Sequence, residues 1–234
     1  MTTEETTLAG VRVTVTRPEE PTGLSFLLPG AMISISEYES MRVILAEQGR
    51  WVVSFFVDVL FPIRNNHQAQ AEKVRKIFDA FRAYHPEIPN FYSIVGHSVG
   101  ATIALLVAGE RDIDRVDTVI ALDPVDQLPT RFTNETGPNL SLKGAEASSI
   151  VMTLTDGGKG ISKLHNAGAI HDLNPCTRLI RHVNSGHLCY TDHGGGRIAK
   201  WIMPDIGTVE GNEAARSGAH QLIRDFIKRG MATE

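Results

Sequence analysis

Cysteine is scarce in this chain: its 234 residues hold only two, Cys176 and Cys189. Two thiols make neither a disulfide framework nor, on their own, a Cys-rich zinc site. They read either as two buried thiols or as one bridge. Long hydrophobic runs are also missing. The longest, residues 51–63, is broken by Ser54, Asp58 and Pro62. It falls short of the roughly 18 apolar residues that mark a membrane span. There is no surplus of positive charge: 23 Lys and Arg against 27 Asp and Glu leave a net charge of −4. That argues against nucleic acid or an anionic lipid surface as the main partner. No internal repeat, low-complexity tract or long Pro/Gly/Ser linker interrupts the chain. The metal spacing H-E-x-x-H is absent, and no G-x-G-x-x-G follows a strand. Gly194-Gly195-Gly196 lacks the Lys-Ser/Thr of a phosphate loop and reads as a flexible turn. No metal and no cofactor are therefore expected. The segment Met1-Thr-Thr-Glu-Glu-Thr-Thr resembles neither a secretory signal nor an Arg-rich transit peptide, so a soluble intracellular protein, cytoplasmic or in a plastid, is expected.

What is present is a core. Apolar residues make up 42% of the chain, enough for one domain over residues 1–234. Short β-rich runs at 11–16, 24–28, 51–57, 91–95, 116–122, 150–155 and 179–183 read as strands. Apolar residues recur at helical spacing over 36–48, 66–84, 99–108 and 214–228. This alternation predicts an α/β protein with a mainly parallel central sheet and helices on both faces. In such sheets the reactive residues lie beyond the carboxyl ends of the strands. The tract 126–149 has no clear period and is expected as a lid or substrate-facing loop.

The segment Phe91 to Gly100 carries the strongest signal. It reads as a strand, then Gly96-His97-Ser98-Val99-Gly100, then an apolar helix. G-x-S-x-G in that context is the nucleophile-elbow pattern. The serine sits on a tight, strained turn at a helix N-terminus, and side chains at 96 or 100 would crowd the strand and helix. Ser98 is thus the candidate nucleophile. His97, adjacent on a sharp turn, points away from it and reads as a packing residue.

A serine hydroxyl needs a base, and the usual chain order places the acid and then the histidine after it. Six histidines follow Ser98, at 165, 171, 182, 187, 193 and 220. His187 stands just beyond the 179–183 run, where the base belongs, and His193 is the reserve. The acid must accept the second imidazole N–H. Asp123 and Asp156 both end strands, and the pattern leaves the two as alternatives. For the oxyanion hole, Val99 follows the nucleophile, and Ala31 follows Gly30 in the exit loop of an early strand. Met32 and Phe61 head the apolar residues expected to line a substrate pocket.

With these residues placed, three segments resemble the chlorophyllase-type α/β-hydrolases. Gly96-His-Ser-Val-Gly100 is similar to that family's Gly-His-Ser-Arg-Gly-Gly, Ala121-Leu-Asp123-Pro-Val125 to its strand-end Asp-Pro-Val, and Gly186-His187-Leu188 to its Gly-His-Leu-Asp-Met. The resemblance implies the α/β-hydrolase fold, with Ser98 as nucleophile, His187 as base and Asp123, rather than Asp156, as acid. It implies hydrolysis of the phytyl ester of chlorophyll to chlorophyllide and phytol, with peripheral membrane contact to reach that substrate. The chain departs from the family at Val99, Ala101 and Cys189-Tyr190. Pro29-Gly30, standing where plant members carry His-Gly, resembles cutinase-like and dienelactone-hydrolase-like esterases. A general carboxylesterase or lipase on hydrophobic esters is thus the alternative, and a non-catalytic binder of a hydrophobic ligand a third reading.

Overall fold

The β-branched and apolar runs pair into an eight-stranded sheet. In chain order the strands are β1 (Thr2–Leu8), β2 (Val11–Arg17), β3 (Gly23–Leu28), β4 (Arg50–Phe55), β5 (Tyr92–His97), β6 (Val116–Leu122), β7 (Ser149–Thr155) and β8 (Arg178–His182). Their spatial order is β1-β2-β4-β3-β5-β6-β7-β8. β2 runs against both its neighbours, and every pairing from β4 to β8 is parallel. The computed structural model describes residues 1–57, 64–109, 115–125, 149–157, 167–175, 177–202 and 207–230.

β3, β4 and β5 are buried along their whole length, which is why they read as continuous apolar runs rather than alternating ones. Helices α2 (Arg64–Tyr84), α3 (Val99–Gly109) and α4 (Ala167–Leu173) cover one face, where Phe26, Val53, Ile77, Phe78, Ile94 and Ile103 pack together. Helices α1 (Glu39–Glu47), α5 (Gly196–Ile202) and α6 (Val209–Gly230) join the other face, with Met41, Leu45, Val95, Ile120, Ala199 and Ile223. α3 is apolar all round because it is sandwiched between the sheet and α2, and eight of its residues are buried.

Three expectations are adjusted. The helix expected over 36–48 is a 3-10 turn, Ile35–Tyr38, followed by α1. Ser34 caps that turn by accepting the Ser36 N–H. The polar N-terminal segment is strand β1, which hydrophobic patterning could not reveal because six of its seven residues are exposed. Threonine-rich backbone pairing with β2 holds it, with Thr3 and Thr16 hydroxyls 3.0 Å apart. Gly194-Gly195-Gly196 is anchored rather than loose. All three glycines have φ between +76° and +81°, and the Glu37 carboxylate accepts the N–H groups of His193 and Gly195 at 3.0 and 3.1 Å. Phe61, Cys176, His165 and the expected lid up to residue 148 lie outside the described residues.

Candidate active site

β5 ends at His97 and α3 begins at Val99, so Ser98 must reverse the chain within one residue. It does so at φ +57°, a left-handed conformation strained for a residue with a Cβ. The flanking glycines make the turn possible. A Cβ on Gly96 would lie 2.3 Å from the Gly100 carbonyl oxygen, and one on Gly100 would lie 2.3 Å from that of Leu28. Backbone on both sides leaves no room for either. Four hydrogen bonds lock the elbow. Ser98 N–H donates to the Leu122 carbonyl at 2.9 Å, and the Ser98 carbonyl accepts the N–H groups of Ala101, Thr102 and Val125. Thr102 Oγ1 donates in turn to the Val125 carbonyl at 2.7 Å. Asp123-Pro124-Val125 therefore wraps the elbow as it leaves β6.

Asp123 is fully buried and also left-handed, at φ +49°. Among its contacts with described residues, its carboxylate accepts Thr155 N–H at 3.1 Å, Thr155 Oγ1–H at 2.6 Å and His187 Nδ1–H at 2.7 Å. Asp156, one residue beyond Thr155, is exposed and accepts only the Ser185 N–H among its described contacts, at 3.3 Å. The structure thus brings Asp123, and not Asp156, to His187. His187 is 1% exposed. With Nδ1–H donating to Asp123, its Nε2 holds a bare lone pair, and this atom has no hydrogen-bond partner among the described residues. A buried, unpartnered imidazole nitrogen is costly unless something else is meant to meet it.

His187 opens a 3-10 turn, His187–Tyr190, whose approach is pinned by Gly186 N–H on Asn212 and Gly157 N–H on the Ser185 carbonyl. His193 is exposed, and the structure does not bring it to Asp123. His182 is half-buried beside Gly218, with its pKa lowered by burial. Gly30 packs on the elbow: a Cβ there would lie 3.2 Å from Ser98 Cβ and 3.4 Å from His97 Nδ1. Its own N–H donates to the Tyr38 hydroxyl at 3.0 Å, which leaves Ala31 as the next amide in the loop. Met32 follows at φ +60° and 43% exposed. Val99 is half-buried at the start of α3, where helix N–H groups lack intrahelical partners. Cys189 is buried in the 187–190 turn.

Sequence reading missed several partners that hold these groups. Thr155 orients Asp123, and no local pattern marks it. Tyr38 was visible only as an apolar position in a helical stripe. His97, expected to pack, binds with both ring nitrogens: Tyr38 Oη at 2.7 Å and the His187 carbonyl at 2.9 Å. Glu37 and Ser40 bond to Asp192, linking the start of α1 and the segment before it to the loop after His187. Asp192 N–H donates to the Glu37 carbonyl, and Ser40 N–H donates to the Asp192 carboxylate. Among the described residues no cluster of His, Cys, Asp and Glu could hold a metal ion, and no helix is long and apolar enough to cross a membrane.

No protein-family model matches the chain, and no curated protein is similar to it in sequence. Solved structures are similar in fold. TT1662 from Thermus thermophilus is 16% identical, with a TM-score of 0.63, covering 100% of this chain and 99% of its own. A dienelactone hydrolase from Anabaena variabilis is 15% identical, with a TM-score of 0.61, over 97% and 96%. Alpha/beta hydrolase domain-containing protein 10 from mouse is 12% identical, with a TM-score of 0.58, over 98% and 99%. The chain has the α/β-hydrolase fold, with the strand order and flanking helices described above.

Proposed function

We propose that the protein is a serine esterase that works through an acyl-enzyme. The observation that carries this reading is the buried Asp123–His187 hydrogen bond, which leaves His187 Nε2 bare while Ser98 stands on a strained elbow tied to the same strand end. Ser98 Oγ attacks the ester carbonyl as His187 Nε2 takes its proton. Asp123 fixes the imidazole tautomer and stabilises the imidazolium. The tetrahedral oxyanion is met by the Ala31 and Val99 N–H groups. His187 then protonates the leaving alcohol. A water molecule, deprotonated by the same Nε2, attacks the acyl carbonyl; the bond to Ser98 Oγ then breaks, His187 returns the proton to Ser98 Oγ, and the acid leaves.

The substrate class we assign is a hydrophobic ester, and its narrower form is the phytyl ester of chlorophyll. The narrower form rests on the sequence resemblance at Asp123-Pro124-Val125 and Gly186-His187-Leu188. Met32 and Phe56 support an apolar approach: they are 43% and 54% exposed, and follow the carboxyl ends of β3 and β4. They would also serve a peripheral contact with the membrane that holds such a lipid. The general carboxylesterase reading is favoured by Pro29-Gly30 and by likeness to a dienelactone hydrolase.

The test is hydrolysis of chlorophyll a beside p-nitrophenyl butyrate, with wild type, Ser98→Ala and His187→Ala. Each substitution is expected to lower activity by about 10⁴-fold or more, and the double variant no further. Chlorophyllide formation that depends on Ser98 supports the narrower reading. Butyrate cleavage without chlorophyllide discards it and keeps the esterase. Folded protein that a fluorophosphonate fails to label at Ser98 is a ligand binder instead.

A further inference from the structure

His97 takes no part in the acyl transfer, yet both of its ring nitrogens are committed. It is 1% exposed, between Gly96 and Ser98. Nε2 lies 2.9 Å from the His187 carbonyl oxygen and Nδ1 lies 2.7 Å from the Tyr38 hydroxyl. A carbonyl only accepts, so Nε2 carries the hydrogen. Nδ1 of the neutral ring is then an acceptor, and the Tyr38 O–H donates to it. The phenol oxygen keeps its lone pairs and accepts Gly30 N–H at 3.0 Å. The two backbone ends therefore fix the direction of every bond. The relay runs from Gly30 N–H through Tyr38 and His97 to the His187 carbonyl, with no polar atom left over.

Gly30 precedes the candidate oxyanion donor Ala31, His97 precedes Ser98, and the relay ends on the backbone of the candidate base. We propose that Tyr38 and His97 are positioning residues: a buried strut that sets the spacing of the Ala31 loop, Ser98 and His187. Its catalytic meaning rests on the esterase reading. An apolar pair of the same volume would fill this space with less desolvation penalty, but apolar contacts slide where hydrogen bonds fix a distance. A misplacement of about 1 Å at reacting atoms lowers rate about 100-fold.

The strut is also electrically silent. Burial foremost, and then the neighbouring His187, lower the His97 pKa to about 3. When His187 takes a proton, its ring 4.7 Å away meets a neutral neighbour whose tautomer does not switch. Burial pushes the Tyr38 phenol well above its ordinary range, so its donor hydrogen stays in place.

Three variants test the strut. Tyr38→Phe and His97→Phe remove its polar atoms, and His97→Gln keeps one acceptor and one donor. Both Phe variants are expected to lower kcat on p-nitrophenyl butyrate about 10- to 100-fold, with KM within about twofold of wild type. The double variant should be no worse than the poorer single one, and His97→Gln should recover at least about tenfold of the His97→Phe loss. Unchanged kcat in folded Tyr38→Phe overturns the proposal, as do losses that multiply in the double variant. Nitrogen NMR of the unliganded protein provides a readout that needs no turnover. It should report His97 as the Nε2–H tautomer throughout the stable pH range, and the His187 Nδ1–H resonance should move in both Phe variants. An Nδ1–H tautomer at His97, or an unmoved His187 proton, overturns the strut whatever the protein cleaves. The expected spectra in a protein that cleaves no ester support the strut and overturn the esterase reading alone.

Discussion

Asp123 and Asp156 end adjacent parallel strands, and at the residue scale their hydrogen bonds separate them. Asp123 accepts from both donors of Thr155 and from His187, whereas Asp156 sits exposed just past β7 and accepts the Ser185 N–H. Asp123→Asn would present the wrong group to Nδ1 and favour the wrong imidazole tautomer. It is expected to lower kcat by about 10⁴-fold, while Asp156→Asn, as an exposed change, stays within about threefold of wild type. Steady-state kinetics on one activated ester checks both.

His97 makes a second residue-scale prediction. Its folded pKa of about 3 lies below the ordinary histidine value of 6.5. Between those limits the unfolded chain binds a proton that the native state excludes, so stability falls as pH drops below 6.5 and levels off near pH 3. From pH 7.5 to pH 5 this histidine alone removes about 2 kcal/mol. His67, His182 and His220 are also lowered by burial and add to the same slope. The informative measurement is therefore a difference. Urea unfolding at the two pH values should show a slope about 2 kcal/mol smaller in His97→Gln than in wild type.

At the scale of elements, the elbow shows a backbone conformation that the packing permits only because of its glycines. Ala at position 100 would drive a Cβ into the Leu28 and Pro29 carbonyls at 2.3 and 2.6 Å. Neither can withdraw without moving β3. Gly100→Ala is expected to destabilise the fold by about 2–3 kcal/mol or more. Gly168, in α4, is a control: among the described residues nothing lies within 4 Å of its added Cβ. Gly168→Ala is expected to stabilise by about 0.5–1 kcal/mol, because alanine favours a helix and restricts the unfolded chain. Thermal melts of the two variants should move in opposite directions. The bonding of Glu37 and Ser40 to Asp192 and His193 is another device of this scale. It ties the start of α1 to the loop after His187 by main-chain donors on both sides, as a capping box does within one helix.

Across the whole molecule, the end of the sheet opposite the site is held by a buried cation. Arg50, 1% exposed, donates from Nη2 to the Leu24 carbonyl and from Nε to Ser25 Oγ, and lies 3.5 Å from the Asp117 carboxylate. It thereby bridges β4, β3 and β6. Burial, more than the partner, governs both charges: it lowers the Arg50 pKa and raises that of Asp117, while their attraction opposes each shift. Such a pair adds little net stability when intact, but losing one member strands the other. Arg50→Met is expected to cost about 3–5 kcal/mol, with partial recovery when Asp117→Asn is added. A double-mutant cycle in urea measures both.

Much of this protein was legible in its sequence because the relevant physics is local. Strand and helix periods report burial one turn or one pleat at a time, so the α/β order of the core appears from residue 11 onward. The elbow is legible as a short pattern: Gly96 answers to the backbone of Gly100 and Ala101 within five residues, although Gly100 answers to the Leu28 and Pro29 carbonyls on β3's exit. Asp123-Pro124-Val125 and Gly186-His187 end their runs where a parallel sheet exposes its reactive edge. β1 escaped because an exposed edge strand has no hydrophobic period, only backbone pairing. The choice of Asp123 as the partner of His187 was beyond local reading, because it depends on Thr155 in a strand 32 positions away. The Tyr38–His97–His187 relay, with separations of 59 and 90, was beyond it too. Which polar atoms meet across such distances is decided by how the sheet registers its strands, and only the folded chain sets that.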